Sequence, residues 1–398
     1  MRGKRYSEGF LIMSLSPAVS LTRDLIRCPS VTPEDAGALG VIEKALKASG
    51  FETHRLPFTE AGTPDVDNLF AKIGSGAPHL VFAGHSDVVP TGDLARWSCD
   101  PFAGDISGDK IIGRGASDMK GAIGAFMAAA LAYIERYGAP KRGAISFLIT
   151  GDEEGPSING TVKMLDWAKA RGETFDHAIV GEPTCVSALG DTIKIGRRGS
   201  LNGRIKVIGK QGHVAYPHRA DNPVPVIARI VAALSSHVFD RGTAHFDRTN
   251  LEVSSIDVGN PAVNVIPAEA RAQFNVRFND AWTLETLRAQ ISQVVREAAG
   301  DSCVELEFLP SNAVSFITHP GEFTDLVSDA VKEVTGLTPE LSTSGGTSDA
   351  RFITRYCPVV EFGLTNETIH AVDENARVAD IDALAAVYLR ILEKYFAA

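Results

Sequence analysis

The chain has 398 residues, beyond the roughly 250–300 at which a single hydrophobic core stops growing, so two domains are expected. Its hydrophobic content of 44% and charged content of 22% are those of a folded globular protein, and its formal net charge of −10 argues against general nucleic-acid binding, which draws on clustered Lys and Arg. The five cysteines, Cys28, Cys99, Cys185, Cys303 and Cys357, are odd in number, far apart and without C-x-x-C spacing, which points away from a disulfide framework or a thiolate zinc site and toward a reducing compartment.

The start, MRGKRYSEGFLIMS, sets basic residues before an apolar patch at 10–13 that is too short for a secretory h-region of about 7–15 residues. No apolar stretch approaches the roughly 20 residues of a bilayer span, so the expectation is a cytoplasmic chain off the membrane, with Met13 as an alternative initiator. Residues 18–50 carry helical periodicity through Val19, Leu25, Ile26, Leu39, Ile42 and Leu46, stopping at Gly50. Residues 51–56, 68–73 and 80–83 read as strands; a loop rich in Asp, Gly and Pro follows over 90–108, then a short strand at 110–114. Asp118 stands where an N-cap belongs, ahead of an Ala-rich helix at 121–137.

Residues 144–150 read as a strand running into GDEEG, 162–170 as a helix, and 178–180 as a strand running into GEP. Strands alternating with helices, each breaking into acidic residues at its carboxyl end, predict a three-layer α/β/α domain with its site outside those ends. From about Ser200 the texture changes: strands at 204–208, 251–258, 270–278 and 304–308 and helices at 223–238 and 284–298 give the β-α-β-β-α-β order of a ferredoxin-like α+β domain. The predicted organisation is a catalytic domain over 1–198 and 312–398 interrupted by an inserted domain at 199–311. A helix at 323–335, a strand at 359–362 and a closing helix at 381–395 complete it.

The chemistry begins in LVFAGHSD at 80–87, where an apolar run stops at His85 and Asp87. Side chains two apart on a strand share a face, so both would emerge where the strand leaves the core. Asp118, Glu154, Glu182 and the late His370 stand at comparable positions, at or beyond strand ends. Imidazole nitrogen and carboxylate oxygen suit zinc. Charge favours two ions, since two Zn²⁺ against the carboxylates of Asp118, Glu154 and Glu182 leave a remainder that one hydroxide neutralises. Of the neighbours Glu153 and Glu154, one can ligate while the other works as a general base. Ser348 and Asp349 lack the G-x-S-x-G elbow of a serine hydrolase, and GRGASDMKG lacks the third glycine of a dinucleotide fingerprint.

Taken together, HSD at 85–87, GRGASDMKGA at 113–122, GDEEG at 151–155, GEP at 181–183 and His370 resemble the dinuclear zinc amidohydrolases related to aminoacylases, acetylornithine deacetylase and glutamate-releasing carboxypeptidases. GRRGSLNG at 196–203, GKQGHVAYPH at 209–218, NVIPAE at 264–269, GGTSDARF at 345–352 and EFGLTNETIH at 361–370 look like the branch of bacterial succinyl-diaminopimelate desuccinylases. The resemblance runs from about residue 18 to the end of the chain.

It implies a zinc-exopeptidase-like catalytic domain with an inserted lid through which two subunits pair, and two Zn²⁺ per subunit, or Co²⁺ in their place. One metal would lie on His85 and Glu182 and the other on Glu154 and His370, with Asp118 bridging. Asp87 would orient the His85 imidazole, and Glu153 would be the general acid and base. His213 would serve the oxyanion from the neighbouring subunit. A cis peptide is implied between Asp118 and Met119. Arg197, Ser200, Tyr216, Asn264, Arg277, Gly346, Thr347 and Asn366 would bind a small substrate rich in carboxylates, with Arg198 an alternative to Arg197. The implied reaction is hydrolysis of N-succinyl-LL-2,6-diaminopimelate in the route to lysine and diaminopimelate. An acetylornithine-type deacylase is the rival within the class, and a metal-binding protein without chemistry the rival outside it.

Overall fold

The computed structural model describes residues 15–397. The apolar patch at 10–13 and the alternative initiator Met13 lie outside the described residues. The chain divides into two compact units, one formed by residues 1–193, 322–339 and 361–398, the other by 194–321 and 340–360.

The first unit opens with α1 (Pro17–Ile26) and α2 (Ala38–Ala48), followed by β1 (Glu52–Arg55), β2 (Leu69–Ser75) and β3 (His79–His85). After the short strands β4 (Asp105–Ser107) and β5 (Lys110–Ile112) come α3 (Lys120–Tyr137), β6 (Gly143–Thr150), α4 (Thr161–Ala170) and β7 (His177–Val180). The stretch 90–108, expected to be loop, thus holds β4 and a 3₁₀ turn at Leu94–Arg96. In the sheet the order is β1-β2-β6-β3-β7, antiparallel from β1 to β6 and parallel across β6, β3 and β7.

All seven residues of β3 and all eight of β6 are buried, as expected of parallel strands covered on both faces. On one face Phe82 and Phe147 lie opposite each other in register, and Phe126 of α3 stacks on Phe82 with ring centroids 4.3 Å apart. Tyr388 of the closing helix Val378–Phe396 meets both Phe82 and Phe126 edge-on. Phe70 pairs with Leu148, whose side chain points to the opposite face, and there Trp167 of α4 packs on it. Helices therefore cover both sides, and the α/β/α expectation is borne out. Among the described residues no helix is long and apolar enough to cross a membrane.

The second unit is a four-stranded antiparallel sheet in the order Asn250–Asp257, Glu269–Phe278, Gly199–Ile208, Cys303–Phe308. Residues alternate strictly along Glu269–Phe278, with Ala270, Ala272, Phe274, Val276 and Phe278 turned inward. That face is closed by the helices Pro223–Ser236 and Leu284–Ala299, the latter started by a capping box between Thr283 and Thr286. The ferredoxin-like order read from the sequence is present.

Phe82 sits where β3, α3 and the closing helix converge. Replacing it with alanine leaves a cavity that none of these rings can fill, and should cost about 3–5 kcal/mol. The expected result is a clear drop in the urea midpoint of Phe82→Ala, and an unchanged midpoint would contradict this placement of the core.

Candidate metal centre

The parallel arrangement sets three carboxyl ends side by side. His85 is the last residue of β3, Glu153 and Glu154 follow β6, and Glu182 follows β7. The turn after β6 is fixed by the buried Asn68, whose side-chain oxygen accepts from Thr150 Oγ1 at 2.8 Å, and by Asp152, which accepts from Ile158 N at 2.8 Å and Asn159 N at 2.7 Å. Asp118 arrives from the loop before α3, and His370 from the segment before Asn375–Arg377, with its backbone in the left-handed region at φ 58°.

Asp118 was expected to cap α3, but the capping position is Met119 and carries no side-chain cap. The Asp118 carboxylate turns into the site instead. Its Oδ1 lies 3.1 Å from His85 Nε2 and its Oδ2 lies 3.2 Å from His370 Nε2. Glu182 Oε1 is 3.7 Å from His85 Nε2, and Glu154 Oε1 is 2.9 Å from His370 Nε2. The peptide between Asp118 and Met119 is cis. The Met119 side chain lies against the glycines that precede both strand-end residues. A Cβ on Gly84 or on Gly181 would come within 2.6 Å of its Cε.

Asp87 meets the His85 imidazole through its backbone rather than its carboxylate. His85 Nδ1 is 2.8 Å from the Asp87 carbonyl oxygen, whereas the Asp87 carboxylate is 3.7 Å away. The fully buried carboxylate accepts from Glu153 N at 3.3 Å and Glu154 N at 3.1 Å, so it fixes the turn that carries the glutamate pair. Burial pushes its carboxyl up to about 6.

The cluster is electrostatically lopsided. The carboxylates of Asp118, Glu153, Glu154 and Glu182 gather around the imidazoles of His85 and His370. Burial disfavours a charged His85, yet the Asp118 hydrogen bond and the Glu182 charge outweigh it and hold the imidazole well above the ordinary histidine range. Hydrogen bonds to Asp118 and Glu154 push His370 up to about 10. Burial works against the Asp118 carboxylate as well, but His370 and His85 overcome it and keep its carboxyl far below the usual range. Two groups, His85 with Asp118 and Glu154 and His85 with Glu153 and Glu182, each bring donor atoms within 4.8 Å of one another. All donors are imidazole nitrogen or carboxylate oxygen, and the surplus of negative charge is what divalent cations relieve, so the residues fit a metal centre.

A second set of residues escaped the sequence reading. Glu374 is fully buried, and its carboxylate accepts from Gly115, Ser117 and Asp118 N, each at 3.0 Å, and from Arg114 Nη1 at 2.7 Å. Arg114 is itself 2% exposed and stands within GRGASDMKGA. The only available signal was an acidic residue four positions after His370, in a run that reads as a surface turn.

Of the residues expected to bind substrate, only Asn366 belongs to the first unit, where its N–H donates to the Cys185 carbonyl at 2.9 Å. The others lie in the second. Arg197 is buried and donates through Nη1 to the Ser344 carbonyl at 3.3 Å. A Cβ on Gly345 would strike that guanidinium. Arg198 binds instead the side chain of Asn250 at 2.9 Å. Ser200 Oγ accepts from Asn275 at 3.0 Å, Arg277 is half-buried, and the buried Thr347 Oγ1 has no hydrogen-bond partner among the described residues. No Cβ on Gly346 would meet a neighbouring atom within 4 Å. His213 and Tyr216 are exposed, in a short ladder where His213 pairs with Val265 and the Asn264 carbonyl accepts from Val214 N at 3.1 Å.

Residues 81–394 match the model of Peptidase family M20/M25/M40. The chain is 60% identical over 383 residues to a succinyl-diaminopimelate desuccinylase of Afipia carboxidovorans, covering 96% of this chain and 100% of the relative. It is likewise 60% identical over 379 residues to one of Beijerinckia indica, covering 95% and 99%. Among solved structures, an M20 family metallo-carboxypeptidase from Sulfolobus solfataricus superposes with a TM-score of 0.77 at 16% identity, covering 96% of this chain and 100% of that one. A Bacillus subtilis protein described as a dinuclear metal binding peptidase from the M20 family gives 0.67 at 17% identity, covering 94% and 97%. At these identities the two structures speak for the fold alone. The likeness read from the motifs is borne out, and the chain belongs to peptidase family M20/M25/M40.

Proposed function

We propose that this chain hydrolyses N-succinyl-LL-2,6-diaminopimelate to succinate and LL-2,6-diaminopimelate at a dinuclear zinc centre. The observation that carries the chemistry is the Asp118 carboxylate, which offers one oxygen to the side of His85 and the other to the side of His370. The substrate rests on the relatives that share 60% of the sequence along nearly its whole length. His85 and Glu182 would hold one ion, Glu154 and His370 the other, with Asp118 shared. Bound there, zinc or cobalt would polarise the amide carbonyl and acidify water.

Glu153 stands beside this donor set, with its own N–H tied to Asp87. Its carboxylate takes the proton from the water that attacks the amide carbonyl and returns it to the leaving nitrogen. Arg197, Ser200, Arg277, Gly346, Thr347 and Asn366 bind the carboxylates, where fixed guanidinium forks suit planar anions. Tyr216 and Asn264 line the same substrate pocket, and His213 completes the site from the second subunit of a homodimer that pairs through the inserted domain, donating to the developing oxyanion. All five cysteines are free, in keeping with a cytoplasmic enzyme.

Measured side by side, the succinylated substrate should exceed N-acetylornithine in kcat/KM by at least about 100-fold, because guanidiniums placed for an absent carboxylate are left unpaired. Turnover of acetylornithine without cleavage of the succinyl compound would overturn the assignment. Glu153→Gln should lower kcat by about 10²–10⁴ while metal content by atomic emission stays at the parent level. Undiminished turnover would remove Glu153 from the proton path.

A further inference from the structure

The segments that carry Asp118 and His370 are far apart in sequence, and the structure joins them by one continuous seam. Asn375–Arg377 pairs antiparallel with β5, Asn375 lying opposite Ile112. One residue beyond that pair, Gly113 N donates to the Glu374 carbonyl at 2.8 Å. There the ladder ends, because residues 113–118 bend away. From that point the Glu374 side chain replaces the missing strand: Oε2 accepts from Arg114 Nη1 and Gly115 N, and Oε1 from Ser117 N and Asp118 N.

Arg114 closes the circuit. Its second arm reaches the Pro90 carbonyl at 3.3 Å and the His370 carbonyl at 3.5 Å, and its guanidinium lies 5.4 Å from the centre of the Trp97 ring. From the backbone of His370 to the backbone of Asp118 the path therefore runs through two side chains, Arg114 and Glu374, both withdrawn from water.

A carboxylate suits this place on simple counting. Its two oxygens provide about four lone-pair sites and no donor, and here they meet donors only. A glutamine of the same shape would turn its NH₂ toward two of those donors whichever way it faced, and an aspartate would be one methylene short.

We infer that Glu374 is a positioning residue that, with Arg114, fits the Asp118 and His370 segments to each other so that both metal sites form as one unit. This rests on the dinuclear reading above. A buried ion pair could instead serve the fold alone, since removing one partner of such a pair costs stability wherever it lies. The distinguishing quantity is metal affinity, which residues that orient ligands change by about 10–100-fold.

The test is calorimetric titration of metal-stripped protein with Zn²⁺ and Co²⁺, each variant first checked by circular dichroism. Glu374→Gln should raise both dissociation constants together by about 10–100-fold. Asp240→Asn is the control: Asp240 is a hub in the second unit, accepting from Gly242 N, Asn279 and Trp282, so its loss should lower thermal stability and leave metal affinity alone. If Glu374→Gln does not fold, Arg114→Lys gives the same readout, with an expected rise of about 10-fold. Dissociation constants within about twofold of the parent in these variants would reduce the pair to a structural role and overturn the inference. A parent protein that takes up no divalent ion would instead bring down the dinuclear reading, and the inference with it.

Discussion

The structure turns on one shared carboxylate. Asp118 presents Oδ1 to His85 and Oδ2 to His370, and these two imidazoles come from segments 285 residues apart in the chain (370 − 85). A carboxylate can serve two centres only if its plane and its backbone are both held. Parallel pairing of β6, β3 and β7 delivers His85, the Glu153–Glu154 pair and Glu182 along one edge of the sheet. Met119, adjacent to Asp118, packs on that edge because glycine precedes each strand-end residue, at Gly84 and Gly181. Side chains there would push Met119, and Asp118 with it, off the sheet.

Gathering so many carboxylates in a buried place is unfavourable without compensation. The fold supplies part of it through backbone N–H groups: Asp87 is met by the amides of Glu153 and Glu154, and Glu374 by those of Gly115, Ser117 and Asp118. Arg114 adds its charge beside Glu374, and His85 and His370 add theirs, held toward their protonated forms by the surrounding carboxylates. The donor set of imidazole nitrogen and carboxylate oxygen is one that divalent cations fit, and they would relieve the crowding of carboxylates with a ligand geometry that protons lack.

Much of this was legible in the sequence because periodicity and motif spacing reach as far as local order does. The strands ending at His85 and before GDEEG and GEP were visible as apolar runs, and the ferredoxin-like order of the second unit showed as alternation interrupted by two helices. The side-chain identities drew His85, Asp118, Glu154, Glu182 and His370 into one list, and the structure places them together. What stayed hidden depended on backbone groups. That Asp87 would offer its carbonyl to His85 and its carboxylate to the next strand's turn has no signature in His-x-Asp spacing. Asp118 looked like a helix cap because caps and ligands share a residue type and a position. Glu374 was invisible for a related reason: three of its four partners are backbone amides, which every residue has.

The shared carboxylate can be seen directly. In crystals grown with zinc, anomalous difference density collected on either side of the zinc edge should show two peaks flanking the Asp118 carboxylate, one on the side of His85 and Glu182 and the other on the side of His370 and Glu154. A single peak, or peaks that leave Asp118 outside their coordination, would contradict the bridging role proposed for Asp118.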